Sequence, residues 1–211
     1  MGTAFKGIKL SGVAIQGEIV NGMTKNGIVF YKKGEAEVDA TPPTATFTYS
    51  NNNGLSLTKE DVTVTLTVNE PIKDIEGWTK VNETTFTKVY SANGKYSVLI
   101  EDLAGNTARL NYEVKRIDRN PPGISVKTGE TETIGNATDG YTLVSFKVSD
   151  DNGLKEYELN GAITQLSNSK WGDINYVSTS TKGAKEGINT LKVRDRVYNE
   201  RILEFKLIAG D

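Results

Sequence analysis

The chain has 211 residues and a formal net charge of −2, and it contains neither cysteine nor histidine. The first absence excludes disulfides, thiol chemistry and cysteine-ligated zinc, and the second removes the usual general base and the commonest nitrogen ligand of a metal. With 25 Lys and Arg against 27 Asp and Glu, no broad basic field forms, so no nucleic-acid partner is expected.

Met1 to Ile8 holds no hydrophobic core of a secretory signal, and no window is apolar enough to insert in a membrane. A start at Met1 without any polyhistidine run leans towards a complete gene product. Residues 1–38 read as short strands at 8–10, Val13–Ile15, 19–20 and Ile28–Tyr31, broken by glycine turns. A segment this short, with no disulfide or metal, cannot enclose its own apolar surface. It is expected to act as an arm that docks on the first sandwich or on another structural protein. Ile8, Leu10, Ile28, Phe30 and Tyr31 are the candidate assembly contacts. Lys25, Lys32 and Lys33 fit solvated edge lysines that deter sheet-to-sheet aggregation.

From residue 39 onward the pattern is strict alternation, the mark of half-buried strands. Val62, Val64, Leu66 and Val68 share one face, with threonines between them. Tyr96, Val98 and Ile100 alternate in the same way, as do Ala108, Leu110, Tyr112 and Val114. Val144, Phe146 and Val148 follow, and then Leu203, Phe205 and Leu207. Asn-Gly turn signals at Asn21, Asn26, Asn53, Asn93, Asn152 and Asn160 punctuate these runs, and nothing sustains a helical period. The fold class is all-β.

The alternation is repeated in phase. Asp39-Ala-Thr-Pro-Pro43 matches Asp118-Arg-Asn-Pro-Pro122, and Val64, Leu66 and Val68 match Val144, Phe146 and Val148. Asp102, Asn106, Leu110, Tyr112 and Val114 match Asp195, Asn199, Leu203, Phe205 and Leu207. The offset grows from 80 to 93, which places about 13 extra residues around 152–186. Three units follow: an N-terminal β arm over 1–38, an immunoglobulin-like sandwich over 39–118, and a divergent, insertion-bearing sandwich over 119–211. Each sandwich is expected to have about seven short strands. The Asp-x-x-Pro-Pro element predicts a short, stiff hinge between them, because proline donates no ladder hydrogen bond.

The first copy carries Thr41-Pro-Pro-Thr-Ala-Thr-Phe-Thr-Tyr49, Asp61-Val-Thr-Val-Thr-Leu66, Ile75-Glu-Gly-Trp78 and Phe86-Thr-Lys88. Asn93-Gly94 with Tyr96, and Asp102-Leu-Ala-Gly-Asn106, complete the set. These runs resemble bacterial Ig-like modules repeated on surface proteins of Gram-positive bacteria, best over 40–118. The second copy departs from the pattern, with Asp195-Arg-Val-Tyr-Asn199 lacking the glycine. The resemblance implies spacing, display or adhesion, and brings no catalytic residues. Asn21 to Tyr31 also resembles short β modules of phage tail and other virion proteins.

The adjacent carboxylates Glu101 and Asp102 point to opposite faces of a strand, as do Asp150 and Asp151, so neither makes a catalytic pair. Gly135 to Gly140 lacks the lysine and helix of a phosphate loop. Asp102 with Asn106, and Asp195 with Asn199, admit two readings. One is an Asx-type turn capping loop amides; the other is calcium held by oxygen ligands, with Glu101, Asp118 or Glu70 as further donors. No Asp-x-Asp-x-Asp-Gly loop is present, so the turn is favoured, no cofactor is required and calcium is not needed for folding. Of the two tryptophans, Trp78 fits packing across a strand end, whereas Trp171, in a polar stretch, is the candidate ligand contact for a sugar.

The expected function is a non-enzymatic display protein of a virion, anchored through its arm and projecting its sandwiches towards a surface or host glycan. A fragment of a secreted Gram-positive adhesin is the alternative, and an accessory carbohydrate-binding region of a glycosidase is the third reading.

Overall fold

The computed structural model describes residues 39–127 and 139–209, together with the backbone pairing of five further short strands. Four of these precede the sandwiches: β1 (Val13–Ile15) pairs with β2 (Glu18–Val20), and β3 (Gly22–Lys25) with β4 (Ile28–Tyr31). These hairpins hydrogen-bond into neither sandwich among the described residues. The strand at Gly22–Lys25 was not expected. The contact role of Ile8, Leu10, Ile28, Phe30 and Tyr31, and the edge role of the three lysines, lie outside the described residues.

The first sandwich comprises β5 (Ala45–Tyr49), β6 (Val62–Val68), β7 (Thr79–Asn82), β8 (Thr85–Tyr90), β9 (Gly94–Glu101) and β10 (Thr107–Val114). One sheet runs β5-β6-β8-β7, all antiparallel, and the β9–β10 hairpin forms the opposing layer. Four strands on one side and a hairpin on the other make a two-layer β-sandwich. A parallel bridge between Thr58 and Ile117 and an antiparallel one between Ile72 and Asp102 fasten the remaining loops to the second layer. The segment between β6 and β7 stays at a single bridge because Pro71 supplies no amide donor and Gly77 turns the chain at φ +72°. The first sandwich therefore has six strands where about seven were expected.

The alternation is realised as read. Val62, Val64, Leu66, Ile100 and Val114 are fully enclosed, with Phe86 at the centre. Phe47 stacks on Tyr112 at 4.5 Å, and the Trp78 ring meets Tyr112 edge-on at 5.8 Å, so Trp78 is a packing residue. Asn93-Gly94, which reads as a hairpin turn, does something else. The Asn93 side chain donates to Ile117 O and accepts from Ile117 N, both at 2.8 Å, and clamps the start of the inter-sandwich linker.

In the second sandwich β11 (Gly123–Val126), β13 (Tyr141–Ser149) and β16 (Trp171–Val177) form one layer, and β12 (Glu132–Thr133) adds backbone pairing to β13. The other layer runs β15-β14-β17-β18, from β14 (Leu154–Leu159), β15 (Ala162–Gln165), β17 (Gly187–Asp195) and β18 (Glu200–Leu207). One parallel bridge, Tyr141 to Leu207, joins the layers. The extra residues go to two places. The β14–β15 hairpin closes on Asn160-Gly161 at φ +44° and +93°, the doubly positive geometry that Asn-Gly supplies in a two-residue turn. The rest forms the 178–186 loop, pinned by buried Asn189. Its amide nitrogen donates to Lys185 O and Gly187 O, and its oxygen accepts from Lys185 N and Asn160 Nδ2.

The cores of the two sandwiches share no residue. Phe146, edge-on against Phe205 at 4.9 Å, occupies in the second the place Leu66 has in the first, and it faces Ile174 across its ladder as Leu66 faces Phe86. On one face of β17, Arg194 reaches Glu156 at 2.8 Å, Glu158 at 2.8 Å and Glu200 at 2.9 Å, tying β14, β17 and β18 by side chains.

Candidate functional site

The two sandwiches meet at residues 115–122, and the linker is bonded on both sides. The Asp118 amide donates to Thr58 O at 2.8 Å. Arg119 donates to Lys59 O and Ser91 O and pairs with Asp61, all in the first sandwich. From the second, Asn199 Nδ2 donates to Asp118 O at 3.1 Å and Arg201 Nε to Pro122 O at 3.3 Å.

Above this linker opens a polar cleft of about 210 Å³, floored by Asp118, Asn120 and Asp150 and flanked by Asn152, Lys170 and Trp171. Strand geometry explains why the tryptophan stands outside. Ile174 and Val177 fill the core, and Gly172 lies close over it, where an added Cβ would meet Val148 at 3.3 Å. Trp171, one residue away, must therefore face outward, and it is 73% exposed. On its other side lies a shallower recess of about 390 Å³ bordered by Lys147, Val148 and Asp173. The indole thus stands between two recesses lined by hydrogen-bonding side chains, which is the arrangement that lets an aromatic face cover a sugar ring while neighbours bind its hydroxyls.

Tyr176 belongs to the same exposed edge and was not singled out from the sequence. The register of β16 on β13 slips between Val144 and Phe146, and Tyr176 sits in that bulge at φ +59°, 65% exposed. The signal was there: Ile174 and Val177 are three apart, which breaks a period of two.

Asp102 and Asp195 hold their turns as expected. Asp102 Oδ1 accepts from the Asn106 amide at 2.8 Å, and Asp195 Oδ1 from the Asn199 amide at 2.8 Å. Each asparagine side chain returns to the other carboxylate oxygen and also donates to a backbone carbonyl of the entering chain, Asp39 O or Asp118 O. Asp150 Oδ1 caps the Asn152 and Gly153 amides, the expected turn. Of the further donors named with Asp102 and Asp195, the structure gathers Asp118 and Glu70, and it adds Asp150 and Asp39, which the sequence did not connect with them. Asp118, Asp150 and Asp195 bring one oxygen each within 4.8 Å of one another, and Asp39, Glu70 and Asp102 do the same. Glu101, named with these as a donor, pairs with Lys73 instead and belongs to neither group.

No family model and no curated protein matches the chain. One solved structure to which it is similar is the SGBP-B protein of a Bacteroides ovatus mixed-linkage glucan utilization locus, in complex with a mixed-linkage heptasaccharide. The identity is 11%, the TM-score is 0.24, and the match spans 80% of this chain and 60% of the other. A TM-score this low assigns neither ligand nor function, and the bacterial Ig-like resemblance rests on its residues alone.

Proposed function

We propose that the chain is a non-enzymatic display protein whose tandem sandwiches present Trp171 and its two flanking recesses to glycans at a surface. The exposure of Trp171 carries this reading. A tryptophan of a soluble sandwich normally joins a core, as Trp78 does, and this one is held outward by the register of β16. Tyr176 extends the exposed edge along the same strand. The carboxylates that could have served catalysis are engaged in turns or ion pairs: Asp102, Asp150 and Asp195 cap backbone amides, and Glu101 meets Lys73.

Anchoring is assigned to residues 1–38, as the virion reading requires. The supporting observation is that, among the described residues, the β1–β2 and β3–β4 hairpins pair with no sandwich strand, and isolated two-stranded sheets are marginal in water. Such strands gain stability by docking on another structural protein of an assembly.

Native gels cast with individual soluble bacterial, fungal and plant polysaccharides test the glycan role. Wild-type protein should be retarded in at least one gel, and Trp171→Ala should weaken the retardation about tenfold or more, the loss of roughly 1.4 kcal/mol expected for a central aromatic contact. Equal retardation of both proteins, or none of the wild type, removes the glycan role. Deleting residues 1–38 tests anchoring separately: the sandwiches should stay folded and incorporation into the particle should be lost. A shortened protein that still assembled at full occupancy would favour the wall-adhesin alternative.

A further inference from the structure

We propose that Asp118, Asp150 and Asp195 form a divalent-cation site, of the calcium type, that locks the linker onto the second sandwich. The three residues come from separate elements: the linker, the end of β13 and the end of β17. They are 2%, 8% and 0% exposed, with one oxygen from each inside a 4.8 Å group. Among the described residues no lysine or arginine pairs with any of them, whereas every carboxylate of the Arg194 cluster has its cation. Three buried carboxylates without a counter-charge are a costly arrangement.

A second, independent observation concerns Asp118 itself. Its Oδ1 accepts from the Asn120 amide at 3.2 Å, but its Oδ2 is buried with no hydrogen-bond partner at all. Buried acceptors are almost always satisfied, so an orphan oxygen within a group of carboxylates marks the place of an absent positive ligand.

The donors are all hard oxygens, which suits calcium or magnesium and not zinc or copper. The adjoining cleft, lined by Asp118 and Asp150, leaves room for waters to complete a coordination shell of six to eight, as calcium takes. The repeat supplies a parallel. Asp39, Glu70 and Asp102 stand at the matching positions of the first sandwich, with Asp39 exposed and Glu70 half-buried. The same three positions thus carry carboxylates at the same pole of both sandwiches, deeply enclosed only in the second.

Terbium, which enters calcium sites and emits when a nearby tryptophan is excited, is the probe. Terbium chloride titrated into the full, chelator-treated chain should raise emission about tenfold, and millimolar calcium chloride should displace it. Trp171→Phe should remove most of the emission, and Asp118→Asn should remove it as well. Asp151→Asn, just outside the group, should leave it unchanged. In chelator, Asp118→Asn should melt at or above wild type, because it deletes an uncompensated charge from an oxygen that accepts no hydrogen bond. Undiminished emission in Asp118→Asn, failure of calcium to displace terbium, or a lower melting temperature of Asp118→Asn in chelator would each overturn the site.

Discussion

Phe146→Ala is expected to unfold the second sandwich while leaving the first in place. The ring is fully enclosed, touches Phe205 and lies opposite Ile174 in the β13–β16 ladder. Truncating a buried phenylalanine removes its transfer free energy and leaves a cavity that a two-layer core collapses into only partly, for about 3–5 kcal/mol. A single sandwich of this size holds stability of the same order, so the loss takes most of it. The two cores share no residue, and the effect should therefore stay local. Calorimetry of wild type should resolve two transitions, of which Phe146→Ala lowers one and Phe86→Ala the other. A common drop of both transitions in either variant would show that the sandwiches unfold as one unit.

Arg194→Ala should cost about as much, roughly 3–5 kcal/mol, by a different route. Glu156 is nearly enclosed and Glu158 and Glu200 are largely covered, and one guanidinium binds all three. Removing it leaves Glu156 and Glu158 on β14 without their cation, gathered with Glu200 across β17 and only partly reached by solvent. The network also sets the acid response. The Gln165 amide, and after it Arg194, hold the Glu156 carboxyl below its ordinary value of 4.5. Its contribution is therefore complete at neutral pH and fades only as acid carries the protein down through that lowered value. In Arg194→Ala the neutral-pH advantage should shrink, and mild acid should become less harmful relative to neutral pH. Urea midpoints at pH 7 and near pH 4 measure both effects. An Arg194→Ala unfolding free energy within about 0.5 kcal/mol of wild type at pH 7, from midpoint and slope, would mean that the cluster is solvated after all.

What the sequence made legible was the part set by local periodicity. Val62 to Val68 and Val144 to Val148 declare their buried faces by alternation alone, and Asn160-Gly161 announces its hairpin because few other pairs accept positive φ twice. Trp171 could be singled out because its neighbours offered it no core. The side chain of Asn93 could not be read in the same way. Its partner is Ile117, twenty-four residues on, so a turn signal concealed a clamp. Asp150 was legible as a turn cap and illegible as a neighbour of Asp118 and Asp195, since that meeting depends on how the linker and two strand ends converge at one pole. Tyr176 sits in a bulge that shifts the period by one residue, and its one trace in the sequence, the three-residue spacing of Ile174 and Val177, went unread.

The stitched linker also decides what a protease can do. Arg116 and Arg119 make this stretch look like the obvious tryptic cut between the modules. Cleavage needs an extended segment that can leave the surface and place its basic side chain in the enzyme. Arg116 is held at φ +71°, with its carbonyl accepting from the Thr58 amide, and the Arg119 side chain is spent on Lys59, Ser91 and Asp61. Neither arginine can be offered without first tearing the linker from the first sandwich. The joint between the two modules is thus shut to digestion by the same bonds that fix its geometry.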